Sequence, residues 1–428
     1  MAREGIKFRF GNRVVEGESG DTIATALLRN GIQIFDRSVK RRRKRGAACL
    51  EGYCMSCLVE VDGEADIPAC RTKIKPGMEV KPQVAWPSPR MDVRAPFQQI
   101  GFELFGTELY YRLFTSPVWL NEKWIHFLAK MTGRGRLANA STARAPLPMK
   151  SLDTQVLVVG AGVAGLSAAM EMNKAGLEVL LVDRGEEPGG WWAKWQAVAD
   201  PPALLKPLEH VLPNLPADLR LMTRTTLLGL YEGNMALAIG EEQALRIHYQ
   251  KVIIAAGCYP HVVRYPGSDE PTHLPAQGLL RAAVETGWVP PSVVLLDFDG
   301  MGSSWADAFR SLGSDIHSFT VGGGNRQPDG IRASNGRKHS GIITPDGETY
   351  KGTVVCWSAG WYPKLELVRQ AGGQASYSDS SAMFVPVVND KMEVSEGVFV
   401  AGGSAGLTGF VDAHEHGSQV GKYVVAGL

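Results

Sequence analysis

No run of about twenty apolar residues occurs in this chain of 428 residues, so no membrane-spanning helix is expected. The opening residues, MAREGIKFRF, lack the apolar core of a secretory signal. Neither sign of charge is in excess. The 45 Lys and Arg against 44 Asp and Glu leave a net charge of +1, which gives no global attraction to nucleic acid or acidic membranes. Cysteine is scarce, six in all, and no C-x4-C or C-x2-C pair occurs beyond residue 70. That speaks against a disulfide framework and against disulfide-reductase chemistry in the second half. A substrate base is also missing: His126, His210, His273, His317 and His339 have no partner at motif spacing and read as surface or core residues. These absences point to a cytoplasmic chain, with any membrane association peripheral and made through partners. The length suits two or three domains.

Where cysteine does occur, it is grouped. Residues 46–72 read GAACLEGYCMSCLVEVDGEADIPACRT, placing Cys49, Cys54, Cys57 and Cys70 as C-x4-C-x2-C, twelve residues, then C. This is plant-type [2Fe–2S] spacing, with a tight loop supplying three thiolates and a following strand the fourth. Gly46, Ala47, Ala48, Gly52 and Ser56 are small enough to let backbone N–H groups approach a cluster. A zinc site or scattered thiols are the alternatives, but zinc usually takes two paired ligand groups rather than three plus one. Around the loop, IKFRFGNRVVEG (6–17) reads as a hairpin turning at Gly11–Asn12, and Asp21 precedes an amphipathic helix, TIATALLRN, that it is expected to cap. CLVEVDGEADIP and MEVKPQ supply further strands. Residues 1–97 are thus expected to form a β-grasp, ferredoxin-like domain. The run RSVKRRRKRG (37–46) resembles a nucleic-acid patch in isolation. Just before the cysteine loop it reads instead as a solvated basic loop, or as a positive rim for the cluster or an acidic partner.

WPSPRMDVRAPF (86–97), with three prolines, reads as a linker. Residues 98–150 follow as a helical connection: an aromatic stretch (98–137) expected as two helices broken near Pro117, then a second linker, STARAPLPMK (141–150). The aromatics suit either packing between domains or an interface to another subunit.

From residue 154, TQVLVVGAGVAGLSAAMEMNKAGLEVLLVDRG is strand, glycine turn, helix, strand. Gly160, Gly162 and Gly165 satisfy G-x-G-x-x-G directly after the strand. Asp183 ends the next strand, 18 residues beyond Gly165, with Arg184 beside it. Such glycines allow a tight turn and close approach of a pyrophosphate to a helix N-terminus, and the carboxylate accepts ribose hydroxyls. Gly190 lies in the turn that follows, before Trp191, Trp192 and Trp195, which suit cofactor stacking or interface packing. KVIIAAGCYP (251–260) offers Ala256 and Gly257 where the chain leaves the domain, and VFVAGGSAGLTGFVDAHEHG (398–417) offers Gly402 and Gly403 where it returns. Flavoproteins of this type commonly place Asp at position 403, so glycine there leaves room for another ADP-bearing ligand at the same site, NAD or ATP. His414 and His416 follow the return turn and read as part of a solvated helix, with an approach to a flavin or a subunit interface as the alternative. Between these blocks, SVVLLDFDGMGSSWADAFRSLGSDI (292–316) has the shape of a second nucleotide fold. Asp297 and Asp299 fall where the first two glycines belong, and only Gly302 matches. Carboxylates there would repel pyrophosphate, so no nicotinamide nucleotide is expected. The fold class is therefore α/β with α+β: the ferredoxin-like domain, then a glutathione-reductase-like Rossmann flavoprotein fold. Its FAD/ADP-binding domain spans 151–258 and 366–428, and a degenerate NAD-like domain spans 259–365.

Several blocks together resemble one family. GDTIATALLRNGI followed by RSVKRRRKRG, WPSPRMDV, ELYYRLFTSPVW, the first nucleotide fingerprint and VVCWSAGWYPKLELVRQAGG are similar, in this order, to the α subunits of heterotetrameric sarcosine oxidases. The multi-subunit opine, proline and hydroxyproline dehydrogenases and hydrogen cyanide synthase share the resemblance. It implies an electron-transfer subunit of a CH–NH oxidoreductase, whose substrate is oxidised in a β subunit of D-amino-acid-oxidase-like type with its own FAD. It further implies an FMN at the α–β interface, small additional subunits in some relatives and an external electron acceptor. Two departures matter. Sarcosine oxidase α subunits have largely lost the cluster cysteines, whereas all four stand here. The folate-binding C-terminal domain has no counterpart within these 428 residues, so folate chemistry is not expected. The alternatives are a self-contained NAD(P)H:acceptor reductase and a scaffold subunit with a structural nucleotide.

Overall fold

The structure, a computed structural model, describes residues 4–39, 41–96, 116–132, 146–196, 198, 209, 211–321, 330–334, 336 and 339–428. The chain divides into two compact units, Met1–Arg144 with Val262–Ser358, and Ala145–His261 with Ala359–Leu428. The first expected aromatic helix, residues 141–145 of the second linker and His210 lie outside the described residues.

In the first unit, the hairpin of strands Gly5–Phe10 and Arg13–Glu18 turns at Gly11, whose φ of 56° glycine adopts without strain. Gly5–Phe10 pairs in parallel with Glu79–Lys81, and Leu58–Val61 and Glu64–Pro68 complete a five-stranded mixed sheet. The helix Ile23–Arg29 packs on it with Ile23 to Leu28 all buried, so it is a core helix rather than an amphipathic one. Thr22, not Asp21, is its N-cap, in a reciprocal box with Thr25. Asp21 is fully buried and accepts from Thr25 Oγ1 at 3.0 Å and Arg29 Nε at 3.1 Å. This corrects the expected cap.

The basic run is only partly solvated: Arg41, Arg43 and Arg45 are exposed, but Arg42 is buried. Arg42 is 1% exposed, donates to the Val84 carbonyl at 2.9 Å and lies 3.7 Å from buried Asp92. Asp36 accepts the N–H groups of Gln83 and Ala85, each at 2.9 Å. Arg43 pairs with Asp269 at 2.8 Å and Lys44 with Glu270 at 2.9 Å. The proline-rich segment from Trp86 is therefore tied down through residue 92, because buried charges require partners and Asp92 supplies one. Replacing Asp92 with Ala strands the buried guanidinium, and urea unfolding is expected to show a loss of about 3–5 kcal/mol. The double change Arg42→Met with Asp92→Leu should cost less than Asp92→Ala alone.

The same unit holds a four-stranded parallel sheet in the order His273–Pro275, Val354–Ser358, Ser292–Asp297, Asp315–Thr320. The helices Ala276–Thr286 and Gly302–Ser311 follow its strands. His273 is a core residue, 1% exposed, hydrogen-bonded to Tyr265 Oη at 2.7 Å. The helix Val118–Thr132 begins just after Pro117 and exposes Val118, Trp119 and Ile125.

The second unit is built on strands Met149–Val159 and Ala244–Ile254, paired in parallel along their lengths. That pairing draws Met149 and Lys150 into the sheet, out of the expected linker. Val179–Val182 and Arg220–Met222 extend the sheet on one side, and Val398–Val400 joins beside Ile254. Leu157, Leu180, Ile247, Ile254 and Val400 form its core. The helices Val163–Lys174 and Phe410–Ala426 pack together through glycine: a Cβ on Gly417 would lie 2.1 Å from the Ala164 carbonyl oxygen.

Candidate iron–sulfur and nucleotide sites

Three of the thiols stand on the irregular loop between strands Lys44–Arg45 and Leu58–Val61, and Cys70 follows strand Glu64–Pro68. The two strands after the loop pair with each other, and the Ala69 N–H donates to the Cys57 carbonyl at 3.1 Å, which returns Cys70 to the loop. Thiol–thiol hydrogen bonds link Cys49 to Cys54 and Cys70, and Cys57 to Cys70, so the four sulfurs form one contiguous group. These contacts hold Cys49 and Cys57 below the ordinary thiol range. They push Cys54 and Cys70 up, each chiefly through its bond to Cys49. None of the four is in a disulfide; Cys54 is half-buried and the others buried.

The local backbone suits an anionic group. Leu50, Gly52 and Met55 adopt φ of 54°, 83° and 52°, a left-handed winding that gathers N–H groups inward. The Glu51 and Ser56 N–H groups point to Cys49 Sγ and Cys54 Sγ, each at 3.4 Å. Among the described residues, no three His, Cys, Asp or Glu side chains converge on a point that one metal ion could occupy. Four soft donors at C-x4-C-x2-C…C spacing fit a two-iron cluster better than a single zinc.

In the second unit, Gly160 ends its strand with φ 108°, and a Cβ there would lie 2.3 Å from the Ala255 carbonyl oxygen. A Cβ on Gly165 would lie 1.9 Å from the Gly160 carbonyl oxygen, whereas one on Gly162, at the helix N-cap, would meet nothing within 4 Å. The first and third glycines are thus required by the turn itself, and the second leaves space beside the helix N-terminus. Gly190, φ 58°, packs its Cα face toward Gly162. Asp183 accepts the N–H groups of Ala161 at 2.6 Å and Gly185 at 2.5 Å, so it closes the glycine turn while keeping lone pairs for a ribose. Arg184 beside it is exposed.

The ends of strands Ala244–Ile254 and Val398–Val400 bring the other candidates together. Gly257 N–H donates to Ser404 Oγ at 3.1 Å, and the Ala256 carbonyl accepts from Lys364 Nζ at 3.1 Å. A Cβ on Gly403 would lie 3.1 Å from both Cys258 Sγ and the Gly257 backbone. Position 403 therefore has little room for the usual carboxylate, which explains its glycine in steric terms. The Gly402 N–H donates to His416 Nδ1 at 3.2 Å. Burial lowers the His416 pKa, which favours the neutral ring this bond requires. His416, on helix Phe410–Ala426, is half-buried and reaches back to the return turn rather than standing on a solvated face. Trp192 and Trp195 are each 2% exposed and serve the core, while Trp191 packs edge-on against Trp361 at 5.8 Å. Sequence reasoning missed Lys364, which also lies 5.0 Å from the Tyr259 ring centroid. Its partners are about a hundred residues away in the chain, and no local motif signals it.

The second nucleotide turn is closed from within. Asp297 Oδ1 accepts the N–H groups of Gly300 at 2.9 Å and Asp299 at 3.2 Å. Asp299 Oδ1 accepts from Met301 N–H at 3.1 Å and Ser358 Oγ at 2.8 Å. A Cβ on Gly302 would lie 2.6 Å from the Asp297 side chain. The N–H groups that would hold a pyrophosphate already have carboxylate partners.

Two family descriptions match the chain: a 2Fe-2S iron-sulfur cluster binding domain over residues 3–85, and pyridine nucleotide-disulphide oxidoreductase over 154–295. The sarcosine oxidase subunit alpha of Rhizobium meliloti (strain 1021) is 26% identical over 465 residues, an alignment covering 99% of this chain and 46% of that protein. The chain thus spans less than half the length of that relative. Hydrogen cyanide synthase subunit HcnA of Pseudomonas aeruginosa is 30% identical over 81 residues, 19% of this chain and 77% of that one. Among solved structures, L-proline dehydrogenase from P. horikoshii has the same fold, with a TM-score of 0.70 and 18% identity over 99% of this chain and 74% of that chain. Among the described residues, no helix is long and apolar enough to cross a membrane.

Proposed function

We propose that this chain, a homologue of the sarcosine oxidase α subunit that joins a cluster-binding domain to a flavoprotein fold, is the electron-transfer subunit of a multi-subunit amine or amino-acid dehydrogenase acting on CH–NH bonds. The observation that carries this is the contiguous set of Cys49, Cys54, Cys57 and Cys70 in a chain whose nicotinamide turn is closed by Asp297 and Asp299. A bound [2Fe–2S] cluster moves electrons singly, which suits splitting a flavin's electron pair. The four thiolates would hold it, and the Glu51 and Ser56 N–H groups would offset their charge. At the second site, Gly160, Gly162, Gly165 and Gly190 would shape the pyrophosphate turn, and Asp183 with Arg184 would meet the ribose end. Ala256, Gly257, Gly402 and Gly403 line the opposite strand ends. FAD is the ligand this fold most often takes; NAD or ATP is the alternative at the same site, because position 403 carries glycine in place of the usual carboxylate.

On this reading electrons enter from a partner of D-amino-acid-oxidase type carrying its own FAD, with an FMN at the shared interface, and leave to an external acceptor. The test is purification of the intact complex, with iron, sulfide and released nucleotides measured, followed by NADH addition. An iron–sulfur chain that co-purifies with a flavoprotein partner and is not bleached by NADH is expected. Rapid bleaching of the isolated chain by NADH would establish the self-contained reductase instead, and an iron-free chain without a partner would leave only the scaffold reading.

A further inference from the structure

Helix Ala276–Thr286, from the sheet whose nucleotide turn is closed, lies against the cysteine loop. A Cβ on Gly278 would fall 1.9 Å from the Cys49 carbonyl oxygen and 3.6 Å from Leu50 Cβ, so only glycine permits this approach. One turn on, Arg281 Nη1 lies 3.4 Å from Glu51 Oε1. Glu285, a further turn on, lies 2.9 Å from Arg281 Nε and 3.9 Å from Arg71 Nη1. Both loop partners adjoin thiols: the Glu51 N–H points to Cys49 Sγ at 3.4 Å, and Arg71 directly follows Cys70. The Arg281 and Glu51 side chains are only 12% and 5% exposed.

Two carboxylates and two guanidinium groups thus carry no net charge beside the cysteine loop; the Arg281–Glu51 pair is largely out of water, while Arg71 and Glu285 are 31% and 30% exposed. Charges placed there act through a low dielectric and are felt strongly. Glu51 alone would disfavour adding an electron to an anionic centre, and Arg281 cancels that field from another part of the chain. We propose that Arg281 is a positioning residue that sets the reduction potential of the cluster, and that the second nucleotide fold supplies it as a charge-balanced brace. This rests on the reading that the four cysteines hold a cluster. It gives helix Ala276–Thr286 a role that nucleotide binding does not require.

The test is a potentiometric titration of the holoprotein followed by the electron paramagnetic resonance signal of the reduced cluster. Glu51→Gln removes one negative charge beside the cysteine loop and should raise the potential. Arg281→Gln removes one positive charge there and should lower it. Each shift should be tenfold or more in the one-electron equilibrium, about 59 mV. The double variant should return to within a factor of two of the unaltered protein, and Arg281→Lys should lie near it. A purely structural contact would not give opposite signs that cancel. Normal signals with no shift, or two shifts in one direction, overturn the inference. If Arg281→Gln fails to fold, an unshifted Glu51→Gln overturns it alone. An unaltered protein with no cluster signal overturns the cluster reading instead, so the two failures are distinguishable.

Discussion

Cys54→Ser should purify with its fold intact but with essentially no iron, and should no longer pass electrons to an external acceptor. A serine hydroxyl does not ionise near neutral pH and is a hard donor, whereas iron–sulfur centres require soft thiolates. Cys54 is the half-buried member of the four, so its change disturbs packing least. Substrate should still bleach the partner's flavin in this variant, because the substrate site is assigned to the other subunit. Iron content, the visible spectrum and flavin bleaching on substrate addition check the three statements separately. Loss of flavin bleaching together with the cluster would contradict an outlet role.

The second large effect concerns the glycine turn, where two substitutions of equal size should behave oppositely. Gly165→Ala puts a Cβ 1.9 Å from the Gly160 carbonyl oxygen, and the backbone must move. Destabilisation of about 3 kcal/mol is expected, with loss of bound nucleotide. Gly162→Ala meets no protein atom within 4 Å, and its φ of −73° is ordinary for alanine. It should leave thermal stability unchanged while weakening the nucleotide about tenfold or more, about 1.4 kcal/mol, because the added methyl takes space left for the pyrophosphate. Thermal unfolding and the nucleotide released per chain check both. Equal stability of the two variants would refute the steric account.

These contrasts mark what could be read from the chain directly. The cysteine spacing, the glycine fingerprint and the aspartates of the second turn are local patterns. Each is complete within a few dozen residues, and each carries its chemistry in residue type alone. The role of the basic run was hidden because its partners are distant: Asp92 lies 50 residues beyond Arg42, and Asp269 lies 226 beyond Arg43. Without them, a solvated loop is the natural reading of RSVKRRRKRG. The proline-rich segment looked like a linker for the same reason, since proline reports the lack of a helix but not whether a buried aspartate anchors the chain. Trp192, Trp195 and His416 took their places from tertiary packing. The brace from Arg281 to Glu51 spans 230 residues and has no sequence signature. Only Gly278, an interior helical glycine that costs helix stability, hints at close contact.

On the proposed function, electrons generated in another subunit leave through the thiol-bound cluster of this one. Rapid-freeze electron paramagnetic resonance of the intact complex, mixed with its amine substrate and no acceptor, tests it most directly beside the Cys54→Ser complex. The expected result is a reduced [2Fe–2S] signal that grows as the partner's flavin is turned over, and that is absent from Cys54→Ser while its flavin still bleaches. A bleached flavin with no cluster signal in the unaltered complex, at times when acceptor reduction would already be complete, would contradict it.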